Sequence, residues 1–215
     1  MRTWSIVVPA KRLAVAKTRL SPLTEALGGP PGAAHAELVL ALLADTVTAA
    51  LACPAIASVL VVTDEPAAAA TVRALGASTV PDEPDRGLNP ALAHGARAAA
   101  TGAVAALSSD LPALRPGELA AALEAAEAAP RCFVADAQAT GTTLLTARGV
   151  DLDPRFGSGS AQRHRAAGAV ELRGEWPGLA RDVDTEADLR AALALGVGRH
   201  TAALVERLLP ACAGC

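Results

Sequence analysis

Short apolar runs alternate along the chain with longer Ala- and Leu-rich stretches of helical spacing. Ser5-Ile6-Val7-Val8 and Ser58-Val59-Leu60-Val61-Val62 read as strands, as does Ala103 to Leu107, with Ala77-Ser78-Thr79-Val80 weaker. Arg131-Cys132-Phe133-Val134 and Thr143-Leu144-Leu145-Thr146 follow. Between them the spacing predicts helices over 36–52, 67–75, 90–100 and 116–128. Strands alternating with helices of this length predict βαβ units, hence an α/β fold with a mostly parallel sheet. After Gly141 the rhythm breaks at a Gly/Ser- and Arg-rich stretch, 153–165. The chain then returns with Ala169-Val170-Glu171-Leu172 and a last helical section from Thr185, where Thr185-Glu-Ala-Asp188 resembles a capping box. No repeat or composition shift marks a second domain, so one domain over 1–210 is expected, with 211–215 a disordered tail.

Composition narrows the class. The chain has 215 residues, 52% hydrophobic and 19% charged, with net charge −3. Such a chain can bury roughly 70% of its unfolded surface, and its hydrophobicity excludes intrinsic disorder. The slightly acidic balance argues against a nucleic-acid partner. No run of about 18 uncharged apolar residues offers a spanning helix; the best stretch, Thr46 to Val62, is interrupted by Pro54. Met1-Arg2-Thr3-Trp4 meets Pro9-Ala10-Lys11 after only a few apolar residues, unlike a secretory leader. A cytoplasmic protein without a membrane partner is expected. Cys53 and Cys132 read as small core residues, and Cys212-Ala-Gly-Cys215 as part of the tail. Aromatics are only 2%: Trp4, Phe133, Phe156 and Trp176.

In an open α/β sheet, ligands bind beyond the carboxyl ends of the strands. The first strand is followed by Lys11, Arg12, Lys17 and Arg19, which suit a polyphosphate held by side chains, since neither a P-loop nor a Gly-x-Gly-x-x-Gly turn is present. A solvated basic loop is the bland alternative. Asp110 leaves the fourth strand as Ser109-Asp-Leu-Pro112, opposite that cationic segment, and suggests a Mg²⁺ ligand. Asp182 and Asp184, at i and i+2, point the same way in extended chain and can reach one metal cluster; Asp184 also reads as a helix N-cap. Thr140-Gly-Thr-Thr143 and Phe156-Gly-Ser-Gly-Ser160 offer hydroxyl and backbone donors to a small anion. Arg155, Arg163, His164 and Arg165 surround the second of these, and favour an anionic acceptor over a neutral sugar.

In this order and spacing the segments resemble the guanylyltransferases of deazaflavin-coenzyme biosynthesis, which join GTP to 2-phospho-L-lactate or phosphoenolpyruvate. The resemblance runs from Ile6-Val-Val-Pro-Ala-Lys11 and Ala16-Lys-Thr-Arg-Leu20 through Val61-Val-Thr-Asp64 and Gly87-Leu-Asn89. It continues with Ser109-Asp-Leu-Pro112, Thr140-Gly-Thr142, Phe156-Gly157, Ser160, His164-Arg165 and Asp182-Val-Asp-Thr185. It implies a single-domain, Rossmann-like nucleotidyltransferase fold related to sugar-nucleotide transferases. It makes Asp110, Asp182 and Asp184 metal ligands and seats the phosphorylated acid on Thr142, Gly157 and Ser160. Lys11, Lys17 and Arg19 would meet the triphosphate and Gly87 and Asn89 the nucleoside, with Asp110, Lys11 and Lys17 catalytic. Family members often carry Gly-Thr-Gly-Thr where this chain has Ala139-Thr-Gly-Thr142.

The implied reaction is in-line attack of an acid phosphate oxygen on the α-phosphorus of GTP, with Mg²⁺ clamping the oxygens and pyrophosphate leaving. The acceptor stays open among phosphoenolpyruvate, 2-phospho-L-lactate and 3-phosphoglycerate. Richness in Ala, Gly, Pro and Arg suggests a GC-rich bacterial genome, which favours phosphoenolpyruvate by resemblance alone. A homodimer, or association with the downstream transferase of the pathway, is also open. Competing readings are a transferase to a sugar phosphate or pterin, a non-catalytic nucleotide-binding module, and a redox protein using Cys212 and Cys215.

Overall fold

The computed structural model describes residues 3–10, 20, 32–83, 85–99 and 101–208. Each apolar run forms a strand: β1 (Trp4–Pro9), β2 (Ile56–Val62), β3 (Ser78–Val80), β4 (Ala103–Leu107), β5 (Arg131–Ala135), β6 (Thr142–Arg148) and β7 (Val170–Glu171). They form one sheet in the order β3-β2-β1-β4-β6-β5-β7. All neighbouring pairs are parallel except those of β6, which is antiparallel to both β4 and β5. The expected α/β fold with a mostly parallel sheet is therefore present.

The helices are α1 (Ala33–Ala52), α2 (Pro66–Ala74), α3 (Leu88–Ala98), α4 (Pro116–Ala125), α5 (Ser160–Ala166), α6 (Pro177–Ala180), α7 (Glu186–Leu195) and α8 (Arg199–Leu208). The stretch Thr46–Val62 divides, because α1 ends at Ala52 and β2 starts at Ile56. By length and composition α1 could cross a membrane, but 61% of its apolar window is buried inside the fold. The last section also divides: Gly196, at φ +85°, ends α7, and the Asp45 carboxylate on α1 accepts the N–H groups of His200 and Thr201 to start α8.

Alternation along β1 assigns the two faces. Trp4, Ile6 and Val8 join Leu43 and Val47 of α1 and Leu119 and Leu123 of α4 in one core, with Cys53 and Cys132. Val7 points into the other, with Leu92 of α3, Phe133 and Leu145. On α3, Gly95 lets the helix approach β1 and β2: a Cβ there would lie 2.5 Å from Val7 and 2.6 Å from Val62. A third cluster packs Leu38 and Leu42 of α1 against Val183, Leu189 and Leu204.

Candidate active site

Strand order reverses between β1 and β4, the kind of switch point where α/β sheets leave a crevice. A cavity of about 830 Å³ opens there. Pro9 and Ala10 from the end of β1, Ser108, Ser109 and Asp110 from the end of β4, and Asp136 beyond β5 line it. Because β6 runs antiparallel, its beginning lies at this edge, so Thr140, Gly141 and Thr142 line the cavity too. The loop 156–160 and Asp182 and Asp184 complete the rim, and Val39, Leu42, Leu43, Leu88 and Leu92 supply aliphatic walls.

The cavity thus gathers Asp110, Asp182, Asp184, Thr142, Gly157 and Ser160, expected from separate segments. Asp110 is buried, Asp182 half-buried and Asp184 exposed. The Val183 N–H donates to the Asp110 carbonyl at 3.1 Å, and the Val183 side chain is buried in the core. Asp184 is not the helix cap. That role falls to Thr185, whose hydroxyl accepts from the Asp188 N–H while Asp188 accepts from the Thr185 N–H, the capping box expected from the sequence. Asp188 also accepts from the Asp184 N–H at 3.3 Å and pairs with Arg181. Upstream, Glu118 of α4 accepts from the N–H groups of Gly178 and Leu179, anchoring α6 just before the aspartates.

The Thr140–Thr142 turn is held by Asp136, whose two carboxylate oxygens each accept at 2.8 Å from the Thr140 and Gly141 N–H groups. A Cβ at Gly141 would strike that carboxylate. Ala139 adopts φ +60°, a left-handed conformation that favours glycine.

Lys11, Lys17 and Arg19 lie outside the described residues, as do Cys212 and Cys215. Gly87 and Asn89 flank Leu88, which lines the cavity, without lining it themselves. The Asn89 amide donates to the Phe156 carbonyl at 3.1 Å and accepts from its N–H at 2.7 Å, clamping the 156–160 loop to α3.

The arginines around that loop do different work from that expected. Arg163 donates to the carbonyls of Arg155, Phe156 and Ser158, Arg155 pairs with Asp153, and Arg165 pairs with Glu171. None lines the cavity. Arg163 spends its donors on the loop backbone, while Arg155 and Arg165 pair with carboxylates away from the cavity, so the three lend no direct support to an anionic acceptor.

His164, expected beside that loop together with the arginines, is held through both ring nitrogens. Its Nε2 accepts from the Arg155 N–H at 2.9 Å, and its Nδ1 lies 2.9 Å from the Thr142 hydroxyl. The Ser160 hydroxyl donates to the same Thr142 oxygen at 3.1 Å. The ring is 1% exposed and edge-on to Phe156, with centroids 5.3 Å apart. Burial, reinforced by Arg163 and Arg155 and opposed by Asp153, lowers its pKa from 6.5 to about 4. Burial also raises the Cys53 and Cys132 thiols, as befits inert core residues.

Residues 4–209 match the family described as "Guanylyl transferase CofC like". A protein of Geodermatophilus obscurus named phosphoenolpyruvate guanylyltransferase is 75% identical over 205 residues, covering 95% of both chains. One of the same name from Thermomonospora curvata is 58% identical, covering 96% of this chain and 90% of that one. Among solved structures, a nucleotidyl transferase from Methanothermobacter thermautotroptrophicus superposes with TM-score 0.63 at 21% identity, over 91% of this chain and 98% of that one. A manganese complex of the Mycobacterium tuberculosis protein Rv0371c gives TM-score 0.53 at 20% identity, over 90% of this chain and 99% of that one. These two structures share the fold.

Proposed function

Since the chain belongs to the CofC-like guanylyltransferase family and is a nucleotidyltransferase, we propose that it transfers GMP from GTP to the phosphate of phosphoenolpyruvate, releasing pyrophosphate, in deazaflavin-coenzyme biosynthesis. The observation that carries this reading is the convergence of Asp110, Asp182 and Asp184 with Thr142, Gly157 and Ser160 on one cavity. The names of relatives at 75% and 58% identity support the acceptor.

The donor set fits a divalent cation, which we take to be magnesium. Asp110, Asp182 and Asp184 offer hard carboxylate oxygens. Among the described residues no three acidic, His or Cys side chains close into a cage. The aspartates would therefore supply part of a coordination sphere that phosphate oxygens complete, as magnesium prefers. When bound, the metal supplies Lewis-acid stabilisation of charge on the transferred phosphoryl group.

The chain itself positions the reactants. Thr142 and Ser160 present hydroxyls to the acid, and Phe156 walls its pocket. The aliphatic walls and backbone groups would hold the guanine, because among the described residues no other ring lines the cavity. Lys11, Lys17 and Arg19, following Pro9 and Ala10 at the cavity wall, would balance the charge of departing pyrophosphate. An ionised phosphate needs no strong base to attack, so alignment and charge compensation carry the rate. We place this reaction in the cytoplasm.

The test is pyrophosphate release with GTP, Mg²⁺ and, separately, phosphoenolpyruvate, 2-phospho-L-lactate and 3-phosphoglycerate. Phosphoenolpyruvate is expected to support turnover best, and silence with all three would overturn the reading.

A further inference from the structure

The hydrogen-bond chain Arg155–His164–Thr142–Ser160 has a definite polarity. A backbone N–H can only donate, so the Nε2 facing Arg155 must be the unprotonated nitrogen of the ring. The neutral imidazole then carries its hydrogen on Nδ1, which donates to the Thr142 oxygen. An imidazolium would oppose two N–H groups at Arg155. The groups around the ring agree: Arg155 and Arg163 disfavour positive charge, only Asp153 opposes them, and Phe133 and Phe156 provide apolar walls. Arg165, next in sequence, is turned over Phe133 towards Glu171.

Thr142 and Ser160 together own two hydroxyl hydrogens. Their mutual contact uses one, and Nδ1–H supplies its own. One hydroxyl hydrogen is left over in a pair that lines the cavity. We propose that His164 is a positioning residue: it fixes the Thr142–Ser160 pair as a net hydrogen-bond donor, so that one O–H is always presented to an anionic oxygen of the phosphorylated acid. Were Nδ1 an acceptor, Thr142 would spend its hydrogen on the ring, and the pair's one remaining hydrogen would be tied up between the two hydroxyls. The inference rests on the proposed reading of Thr142 and Ser160 as the seat of the acid.

The first measurement needs no turnover. Two-bond ¹⁵N–¹H correlation spectra at pH 7, with the signal assigned by its loss in His164→Asn, should show His164 as the neutral Nδ1–H tautomer. An Nε2–H tautomer or an imidazolium would overturn the proposal. The second uses paired amides. Asn places its amide near the Nδ1 position and keeps a donor to Thr142, whereas Gln reaches towards Arg155 and loses that donor. His164→Gln should raise the KM for phosphoenolpyruvate about tenfold or more, as expected for a lost charge-assisted hydrogen bond, and leave the KM for GTP unchanged. His164→Asn should hold the acid KM within about threefold of the parent, on the same scale. Equal effects of the two variants, or equal effects on both substrates, would indicate a merely structural ring and overturn the proposal. If the parent protein turns over none of the acids, the functional reading fails, while the tautomer still decides the polarity of the chain. If His164→Gln does not fold, the parent's tautomer is likewise decisive.

Discussion

The Val183 N–H donates to the carbonyl of Asp110, tying the end of β4 to a segment more than seventy residues downstream. Val183 is fully buried, so its side chain serves as a peg while Asp182 and Asp184 on either side face the cavity. One backbone bond and one buried valine thus register two acidic segments against each other before any ligand arrives.

Asp110→Asn and Asp182→Asn keep the side-chain volume but remove the charge that a cation and triphosphate require. Each should lower kcat for pyrophosphate release by at least about 100-fold. Circular dichroism should show the parent fold. Full activity in either variant would remove that residue from the metal site.

Gly178→Ala probes the support beneath those aspartates. An added Cβ would collide with the Ala113 carbonyl and lie 2.8 Å from the Glu118 carboxylate that anchors α6. The substitution should cost about 1–3 kcal/mol of stability, the usual range for overpacking. Denaturant titration checks this, with a parallel loss of activity; an unchanged midpoint would show that α6 gives way freely.

Much of this frame can be read from residues alone, and the exceptions have physical causes. Short apolar runs, most of them buried on both faces of the sheet, made β1 to β5 visible, and Thr185-x-x-Asp188 announced its capping box. The direction of β6 could not be read, because Thr143 to Thr146 is equally apolar in either sense; yet that direction brings Thr142 to the site. The break before α8 depends on Asp45, over 150 residues away, accepting from His200 and Thr201. Arg163 reads as an anion-binding group from its place in a Gly/Ser- and Arg-rich stretch, and Asn89 as a nucleoside contact by resemblance alone; here the side-chain donors of both bond the backbone of 155–158. Local sequence shows which groups are present, but not which of them the fold has already used.

Stability should depend on pH through His164. Its folded value of about 4 lies below the ordinary 6.5. Between these values the unfolded chain binds a proton that the folded chain refuses. The contribution of the neutral ring is therefore complete above about pH 6.5 and falls as pH drops towards 4, by at most about 3 kcal/mol. Denaturant midpoints across that window should decline in the parent and decline less steeply in His164→Asn. Equal slopes would contradict the assignment.

Ala139→Gly tests the strained turn before Thr142. A left-handed alanine costs about 1–2 kcal/mol, partly offset in the variant by the greater freedom of unfolded glycine. The expected net gain is about 0.5–1 kcal/mol, read as a higher thermal midpoint with activity retained. A lower midpoint would show that the turn is not strained in solution.

The central claim is that a phosphate oxygen of the acid attacks the α-phosphorus of GTP. ³¹P NMR of a reaction with GTP, Mg²⁺ and phosphoenolpyruvate tests it most directly. The account predicts two mutually coupled diphosphate resonances, from guanosine joined to the acid through its phosphate, together with one equivalent of free pyrophosphate. Formation of GDP, or an unchanged spectrum with all three acids, would contradict it.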